Sequence, residues 1–377
     1  MTFFESRDKI GGVLRCGIPV NQGQKDKIIS TTTGLNITGR GFLVPDAHGS
    51  TSRPGVFASG DVVLGTRTVV EAVIPKKWLG LWMNTCGRLD EHAKERKSFT
   101  KQAYAPGLKG PGPLGRIDFG NPALKPMLRM MADNMKKDTR AYHPPEGLRL
   151  RSLSVDNGNG RQIWCFVMEP EGEETRSLPG MLYCHGGGFF LPLQVPALRL
   201  AAKYAAALHM RIFLPEYRLL PEHPAPAAFD DCLAVWRQMI VRAEVLRLDA
   251  TKILLYGESA GGALAAGMAQ QLLAECDVRP VGQLLIYPVL DDRCGRYASM
   301  EQSVDVAWPR SSNEQMWREY LRDITSPAAP LVPLRTDYSA LAGLPPAYIE
   351  PQEIDILHDE AVTYAEALTA AGITVQL

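Results

Sequence analysis

The second half of the chain alternates short apolar runs with longer segments of helical length. The apolar runs are Met181–Cys184, Ile212–Leu214, Ile253–Tyr256, Gln283–Tyr287 and Ala347–Ile349, and the helix-length segments include Leu198–His209, Phe229–Val245 and Ala263–Ala274. This alternation predicts an α/β fold, with a parallel sheet flanked by helices. In such a sheet the functional groups gather at the carboxyl ends of the strands.

Composition excludes several classes of protein. The 377 residues carry 41 basic and 41 acidic side chains, a balance that disfavours a nucleic-acid-binding protein. Hydrophobic residues make up 45% of the chain, yet no apolar run is long enough to span a membrane, and no secretory signal is visible at the N-terminus. Seven scattered cysteines include no C-x-x-C pair, so we predict no metal site and a cytoplasmic location.

The pentapeptide Gly257-Glu258-Ser259-Ala260-Gly261 follows the apolar run at Lys252–Tyr256 and precedes a segment rich in alanine and leucine. A strand, a tight turn and a helix are the context of a nucleophile elbow, in which a strained turn exposes the serine. Side chains at Gly257 and Gly261 would collide with neighbouring backbone, which explains the two glycines. The helix that follows favours negative charge at its N-terminus. We therefore predict Ser259 to be a nucleophile.

A second glycine-rich motif, His185-Gly186-Gly187-Gly188, follows the run Met181–Cys184. Successive glycines leave backbone N–H groups unshielded, so those of Gly187 and Gly188, together with that of Ala260, are candidates for an oxyanion hole. A plain flexible turn is the alternative interpretation. We interpret His185 as an orienting or anchoring residue, since it precedes the glycines.

Residues from about 121 to 377 resemble the hormone-sensitive-lipase family of α/β-hydrolases. The resemblance rests on four ordered motifs, His185–Gly188, Tyr217–Pro226, Gly257–Gly262 and Asp355–Glu360. It implies an α/β-hydrolase sheet flanked by helices and a serine carboxylic-ester hydrolase acting on short to medium acyl esters, without a metal or an organic cofactor. It also implies Ser259 as nucleophile, Asp355 as triad acid and Gly187, Gly188 and Ala260 as oxyanion hole, with Gly186, Glu258 and Gly261 as supporting residues.

Within the same resemblance, Tyr217–Pro226 is a structural brace near the active site, and His223 is a scaffold residue rather than a base. Asp355 lies between the run Ala347–Glu350 and a helix that begins near His358, the expected place for the acid of a triad ordered Ser, Asp, His. A helix cap is the alternative role for this aspartate.

The family places its histidine base in a loop beyond one more strand. Gly372–Leu377 begins that strand here, and no histidine follows His358, which we do not assign as the base. One explanation is an incomplete reading frame whose continuation completes the strand and carries the histidine. The other is a pseudoenzyme that binds a ligand without turnover, as do the plant gibberellin receptors, which resemble the same family.

The N-terminal segments Met1–Pro19 and Thr51–Gly65 resemble FAD oxidoreductases of the glutamate-synthase small-subunit type. The resemblance implies that Glu5 binds the adenosine ribose and that Asp61 contacts the flavin ribityl and phosphate region. The glycine loop that should precede Glu5 is missing from the sequence, and so is the nicotinamide domain. We therefore expect a small, incomplete Rossmann-like fragment with little affinity for FAD.

These patterns divide the chain into three parts. We expect a flavoprotein-like remnant over residues 1–90, a basic linker rich in Pro and Gly over 91–120, and an α/β-hydrolase domain over 121–377 whose last strand and histidine-bearing loop are missing. Apolar residues from Leu124 to Met135 recur at helical spacing, so we expect the region 121–143 to contribute a helix to a substrate-covering cap. The expected partners are a small-molecule ester and, in a homodimer, a second copy of the chain.

Overall fold

The computed structural model describes residues 2–4, 56–58, 125–158, 160–275, 278–301, 308–353 and 355–377. The chain forms two compact units, Met1–Gly110 and Pro111–Leu377, and the division between them falls inside the expected linker. In the first unit, β1 (Thr2–Phe4) pairs in parallel with β2 (Val56–Ala58). Glu5 and Asp61, the residues predicted to bind FAD, lie outside the described residues.

The second unit contains a mixed eight-stranded sheet. Its strands are β3 (Leu148–Asp156), β4 (Gln162–Pro170), β5 (Leu178–Cys184), β6 (Arg211–Pro215), β7 (Leu248–Glu258), β8 (Gly282–Ile286), β9 (Ala347–Glu350) and β10 (Val375–Gln376). They lie in the order β10-β9-β8-β7-β5-β6-β4-β3. The sequence predicts that Gly372–Leu377 begins the last strand. In the structure this segment contains β10, which pairs in parallel with β9.

Helices connect and cover these strands. They are α1 (Lys125–Arg140), α2 (Val195–Leu208), α3 (Ala227–Val241), α4 (Ala243–Leu246), α5 (Ala260–Glu275), α6 (Arg310–Tyr320) and α7 (His358–Ala370), with short 3-10 helices at Cys294–Arg296, Ala298–Glu301 and Tyr338–Leu341. The predicted α/β sheet flanked by helices is confirmed, since every apolar run singled out above overlaps a strand. The amphipathic segment from Leu124 to Met135 likewise overlaps α1.

The prediction of a parallel sheet is correct for six strands and wrong for two. Strands β5 to β10 pair in parallel, whereas β4 runs antiparallel to β6, and β3 runs antiparallel to β4. The β3–β4 hairpin was not predicted. Only five residues join the two strands, and Asn157 N–H closes the turn on Arg161 C=O at 3.0 Å, so the connection is far too short for a parallel crossover.

The register of the central strands brings three connections to one edge of the sheet. Glu258 at the end of β7 pairs with Ile286 at the end of β8, and Ile286 pairs with Glu350 at the end of β9. The segments that begin at Ser259, Tyr287 and Pro351 therefore leave the sheet side by side at its carboxyl edge.

Candidate active site

Ser259 occupies the turn between β7 and α5 with a backbone φ of +53°, the left-handed region that a non-glycine residue rarely adopts. Three hydrogen bonds hold it there. Its N–H donates to Ile286 C=O at 3.0 Å, and its C=O accepts from Gly262 N–H at 2.8 Å and Val289 N–H at 3.0 Å. Ser259 is half-buried, and within the described part of the chain no side chain hydrogen-bonds to its Oγ. The structure therefore has the strained turn of a nucleophile elbow.

The two glycines that flank Ser259 leave room for the turn. A Cβ at Gly257 would lie 2.1 Å from Gly261 O, and a Cβ at Gly261 would lie 2.0 Å from Cys184 O. Real Cβ atoms do not approach oxygen so closely, so no side chain fits at either position without a backbone shift. The predicted steric reason for these two glycines is confirmed.

The glycine loop, residues 185–188, follows β5 and lies against the elbow. A Cβ at Gly186 would lie 3.0 Å from Glu258 O and 3.4 Å from Ser259 Cβ. Gly187 and Gly188 have φ values of +116° and +60°, which glycine adopts at little cost. Among the described residues, neither their N–H groups nor that of Ala260 donates to a backbone carbonyl. The N–H of Ala260 also lacks a partner within its helix, because Ala260 is the first residue of α5.

His185 is buried beneath this loop. Its ring stacks on Tyr217 with centroids 4.1 Å apart, and its Nδ1 lies 2.8 Å from Gly186 O, which can only accept a hydrogen bond. Burial lowers the pKa of His185 to about 4, so the ring is neutral at physiological pH. These contacts hold the ring in place beneath the loop, and the low pKa disfavours a role as base.

The segment Tyr217–Pro226 contacts the glycine loop as predicted for a brace. Tyr217 Oη donates to His185 O at 2.7 Å, and Leu220 N–H donates to Phe189 O at 2.9 Å. Arg218 forms a salt bridge with the buried carboxylate of Asp231 at 2.8 Å, which fixes the segment to α3. His223 is half-buried, and burial lowers its pKa.

Glu258, the residue before the nucleophile, lies between the glycine loop and the end of β8. Its Oε1 accepts from Gly186 N–H at 3.4 Å, and its Oε2 accepts from Tyr287 Oη at 3.5 Å. Burial raises the pKa of Glu258. Tyr287 has a left-handed φ of +36° and was not predicted as a site residue, although the sequence places it at the end of a strand on the active edge.

A cavity of about 170 Å³ opens beside Ser259. Its walls are formed by His185, Gly186, Gly187, Pro192, Gln194, Pro196, Ala197, Glu258, Ser259 and Tyr287. Four of these residues lie at or just before the start of α2, a segment that was not predicted to be part of the site. They carry no chemical motif, so the sequence offered no signal for them.

Trp308 and α6 cover the outer side of the glycine loop. A Cβ at Gly188 would lie 2.7 Å from the Trp308 ring, and Phe189 stacks on Tyr320 with ring centroids 4.1 Å apart. These contacts were not predicted from the sequence. It follows that Gly188 is required by its neighbour as well as by its own positive φ.

Asp355 lies between β9 and α7, on the same edge of the sheet as Ser259. Its Oδ1 accepts from Leu357 N–H at 3.0 Å, and burial raises the pKa of its carboxyl group. The N-cap position of α7 is Leu357, so the bond closes the turn ahead of the helix. The side chain of His358 contacts the next residue of its own helix, because its Nδ1 lies 3.0 Å from Asp359 Oδ1.

Helix α1 is fastened to the loops around the cavity. Thr139 Oγ1 donates to Leu193 O at 2.8 Å, and Arg129 forms a salt bridge with Glu222 at 2.7 Å. Leu193 belongs to the cavity-lining stretch and Glu222 to the brace. The helix expected in the cap therefore adjoins two of the segments that surround the site.

Among the described residues, no group of three or more His, Cys, Asp or Glu side chains is arranged to hold a metal ion. The described cysteines, Cys165, Cys184, Cys232 and Cys294, are buried and free. No helix in the described ranges is both long enough and apolar enough to cross a membrane.

Comparison with known proteins identifies the family. Residues 181–377 match a family model described as the alpha/beta hydrolase fold. The chain is 32% identical to ethyl acetate hydrolase of Pseudomonas putida over 236 residues, which cover 62% of this chain and 73% of that protein. It is 30% identical to esterase LipI of Mycobacterium tuberculosis over 263 residues, 69% of this chain and 79% of that protein.

Solved structures agree with these relatives. A bacterial heroin esterase superposes with a TM-score of 0.62 at 31% identity, covering 69% of this chain and 83% of that one. The elbow, the glycine loop and these matches together show that the chain belongs to the alpha/beta hydrolase fold family, among serine hydrolases related to carboxylic-ester hydrolases.

Proposed function

We propose that this chain is a carboxylesterase that hydrolyses short to medium acyl esters through an acyl-enzyme on Ser259. The observation that carries the proposal is the arrangement at the elbow. Ser259 has a φ of +53°, and the glycine loop packs against it at Gly186. The N–H groups of Gly187, Gly188 and Ala260 donate to no backbone carbonyl among the described residues. N–H donors aimed at a developing oxyanion are among the largest contributions to acyl-transfer catalysis.

The reaction proceeds by double displacement. A histidine base takes the proton from Ser259 Oγ as this oxygen attacks the ester carbonyl carbon, and the N–H groups of Gly187, Gly188 and Ala260 bind the resulting oxyanion. Collapse of this intermediate expels the alcohol, which receives that proton from the histidine, and leaves the acyl-enzyme. The same histidine then takes a proton from the water that hydrolyses the acyl-enzyme to the carboxylic acid. No cofactor takes part in these steps.

Proton transfer in this mechanism requires a histidine that Asp355 orients. His185 does not suit that task, because burial holds its pKa near 4 and its Nδ1 is engaged by Gly186 O. We assign Asp355 as the acid because it leaves β9 at the edge where Ser259 leaves β7.

Covalent labelling tests the nucleophile. We expect a fluorophosphonate probe to label the unsubstituted chain and to leave Ser259→Ala unlabelled. Hydrolysis of p-nitrophenyl esters of increasing acyl length would then measure the chain-length preference. Labelling of Ser259→Ala at another serine would refute the assignment.

Ligand binding without turnover is the second candidate function. It is favoured by the cavity beside Ser259 together with the absence of any side-chain partner for Ser259 Oγ among the described residues. Loss of the base in serine hydrolases lowers turnover on the order of 10⁶-fold. A chain that binds an ester in calorimetry but neither hydrolyses it nor reacts with the probe would support this candidate over the first.

We further propose that the protein is cytoplasmic, that it forms a homodimer, and that its flavoprotein-like N-terminal segment holds no FAD. Sedimentation would reveal the oligomeric state. A yellow preparation that releases FAD on denaturation would contradict the last proposal and give Glu5 and Asp61 a function.

A further inference from the structure

Glu360 is a fully buried acid in the first turn of α7. From the sequence it was only the last residue of the motif Asp355–Glu360, but in the structure its carboxylate contacts a different loop. Its Oε1 accepts from Leu290 N–H at 3.2 Å, and its Oε2 accepts from Asp291 N–H at 3.2 Å. Each carboxylate oxygen thus holds one backbone donor of the segment that follows β8.

The same segment is bonded to the nucleophile elbow. Val289 N–H donates to Ser259 O at 3.0 Å, one residue before the two donors that Glu360 holds. Val289, Leu290 and Asp291 are all buried. Residues 289–291, here named the bridging segment, therefore join the backbone of Ser259 on one side to α7 on the other.

Ser299 forms a second link to the loop that carries Asp355. Its Oγ donates to Ile356 O at 2.7 Å, and its N–H donates to Asp359 Oδ2 at 2.9 Å. Ser299 is fully buried. The residue after Asp355 and the second residue of α7 are thus both fixed by one serine.

Asp291, which lies next to this contact, has hydrogen-bond donors of its own for its carboxylate. Asp291 accepts from Arg293 Nε at 2.7 Å and from Tyr297 Oη at 2.7 Å. Its charge is therefore paired, and Glu360 remains free to receive the two N–H groups of the bridging segment. Buried donors left without an acceptor are destabilising, so loss of either bond would weaken the link between α7 and the bridging segment.

We propose that Glu360 is a positioning residue that sets the place of Asp355 relative to Ser259 through the bridging segment. The inference rests on the proposed function for the roles of Ser259 and Asp355. Glu360 itself touches neither substrate nor reacting atoms. Its effect is geometric, because a displacement of about 1 Å between catalytic groups can lower the rate on the order of 10²-fold.

Glu360→Gln is the primary test. A glutamine oxygen accepts from one N–H of the bridging segment, whereas its amide nitrogen faces the other donor. We expect kcat and the rate of fluorophosphonate labelling to fall about 10- to 100-fold with KM nearly unchanged. Ser299→Ala removes the parallel link and should lower kcat in the same direction, which keeps the test available should Glu360→Gln fail to fold.

Glu169→Gln is the matched control. Glu169 is also a fully buried carboxylate, but it contacts Arg149, Arg151 and Arg211. Arg211 begins β6, so this cluster lies at the amino edge of the parallel strands, away from the site. We expect Glu169→Gln to lower stability without changing kcat per folded molecule.

Hydrogen exchange gives a readout that does not require turnover. Glu360→Gln should speed exchange in peptides covering 287–293 and 355–360 and leave 184–190 unchanged. An even increase over the whole domain, or a kcat loss that Glu169→Gln reproduces, would reduce Glu360 to a stabilising residue and overturn the proposal. An unsubstituted chain that neither labels nor turns over would reject the proposed esterase, while the exchange pattern would still decide whether Glu360 couples the two loops.

Discussion

At the scale of single residues, the site depends on backbone positions that tolerate one residue type. Ser259 is held at a φ of +53° by hydrogen bonds from three directions, and strain of this kind persists only where the surroundings enforce it. Gly257 and Gly261 supply the space in which that enforcement is possible. The strained conformation of Ser259 therefore depends on its neighbours as much as on the serine itself.

Gly257→Ala tests this dependence. The new Cβ would lie 2.1 Å from Gly261 O, so the backbone of the elbow must shift. We expect the free energy of unfolding in urea to fall by about 1–3 kcal/mol and probe labelling to be lost. Gly295→Ala is the control, since its Cβ would meet only Arg310 Nη2 at 3.5 Å. Equal, small effects at both positions would contradict the steric explanation.

At the scale of elements, the glycine loop is held between two segments that come from distant parts of the chain. The brace lies on one side, with Tyr217 bonded to His185 O, and α6 lies on the other, with Tyr320 stacked on Phe189. Oxyanion-hole donors act only if they are fixed before the reaction begins. The loop owes its rigidity to these two contacts, because its glycines have no side chains of their own to pack.

Tyr217→Phe should loosen the loop. It removes the 2.7 Å bond to His185 O and leaves a buried carbonyl without that donor, which costs about 1–3 kcal/mol. We expect a lower midpoint in urea unfolding and slower probe labelling. Tyr338→Phe, at a tyrosine with 43% exposure, is the control and should change neither. An active, fully stable Tyr217→Phe variant would show that the brace is dispensable.

At the scale of the whole hydrolase unit, the candidate site and the buried cluster around Glu169 lie at opposite edges of the sheet. The carboxyl edge carries the elbow, the bridging segment and the loop of Asp355. The opposite edge carries Glu169 with its three arginines, one of which, Arg211, is itself almost fully buried. Residues that stabilise the fold can therefore be substituted without touching the site, which is why Glu169 serves as the control for Glu360.

Global stability should depend on pH through His185. Its pKa is about 4 in the folded chain and about 6.5 when unfolded, so between these values only the unfolded state binds the proton. Above about pH 6.5 the neutral ring contributes about 3 kcal/mol to the free energy of unfolding, and this contribution is lost as the pH falls towards 4. Urea unfolding at several pH values would show this loss, and His185→Asn should remove that part of it. An unchanged pH profile in the variant would contradict the buried, neutral histidine.

The local features of the site could be predicted because each depends on residues that are close together in the sequence. The apolar run before Gly257, the glycines around Ser259 and the helix-forming residues after Ala260 all lie within about twenty positions, and so do the glycine loop and its strand. Short-range sterics and periodicity act over such distances. The antiparallel β3–β4 hairpin does not follow from the alternation of apolar runs and helix-length segments, because no helix-length segment separates its two strands.

The fold class and the nucleophile elbow could be predicted from the sequence, since they depend on residues that are near neighbours along the chain. The positions of Tyr287 and Trp308 at the border of the site became visible only in the folded chain, as did the contacts of Glu360 with Leu290 and Asp291. Those contacts join residues that are tens of positions apart in loops without periodicity. These contacts are set by the packing of the strands and helices, so no local sequence pattern predicts them.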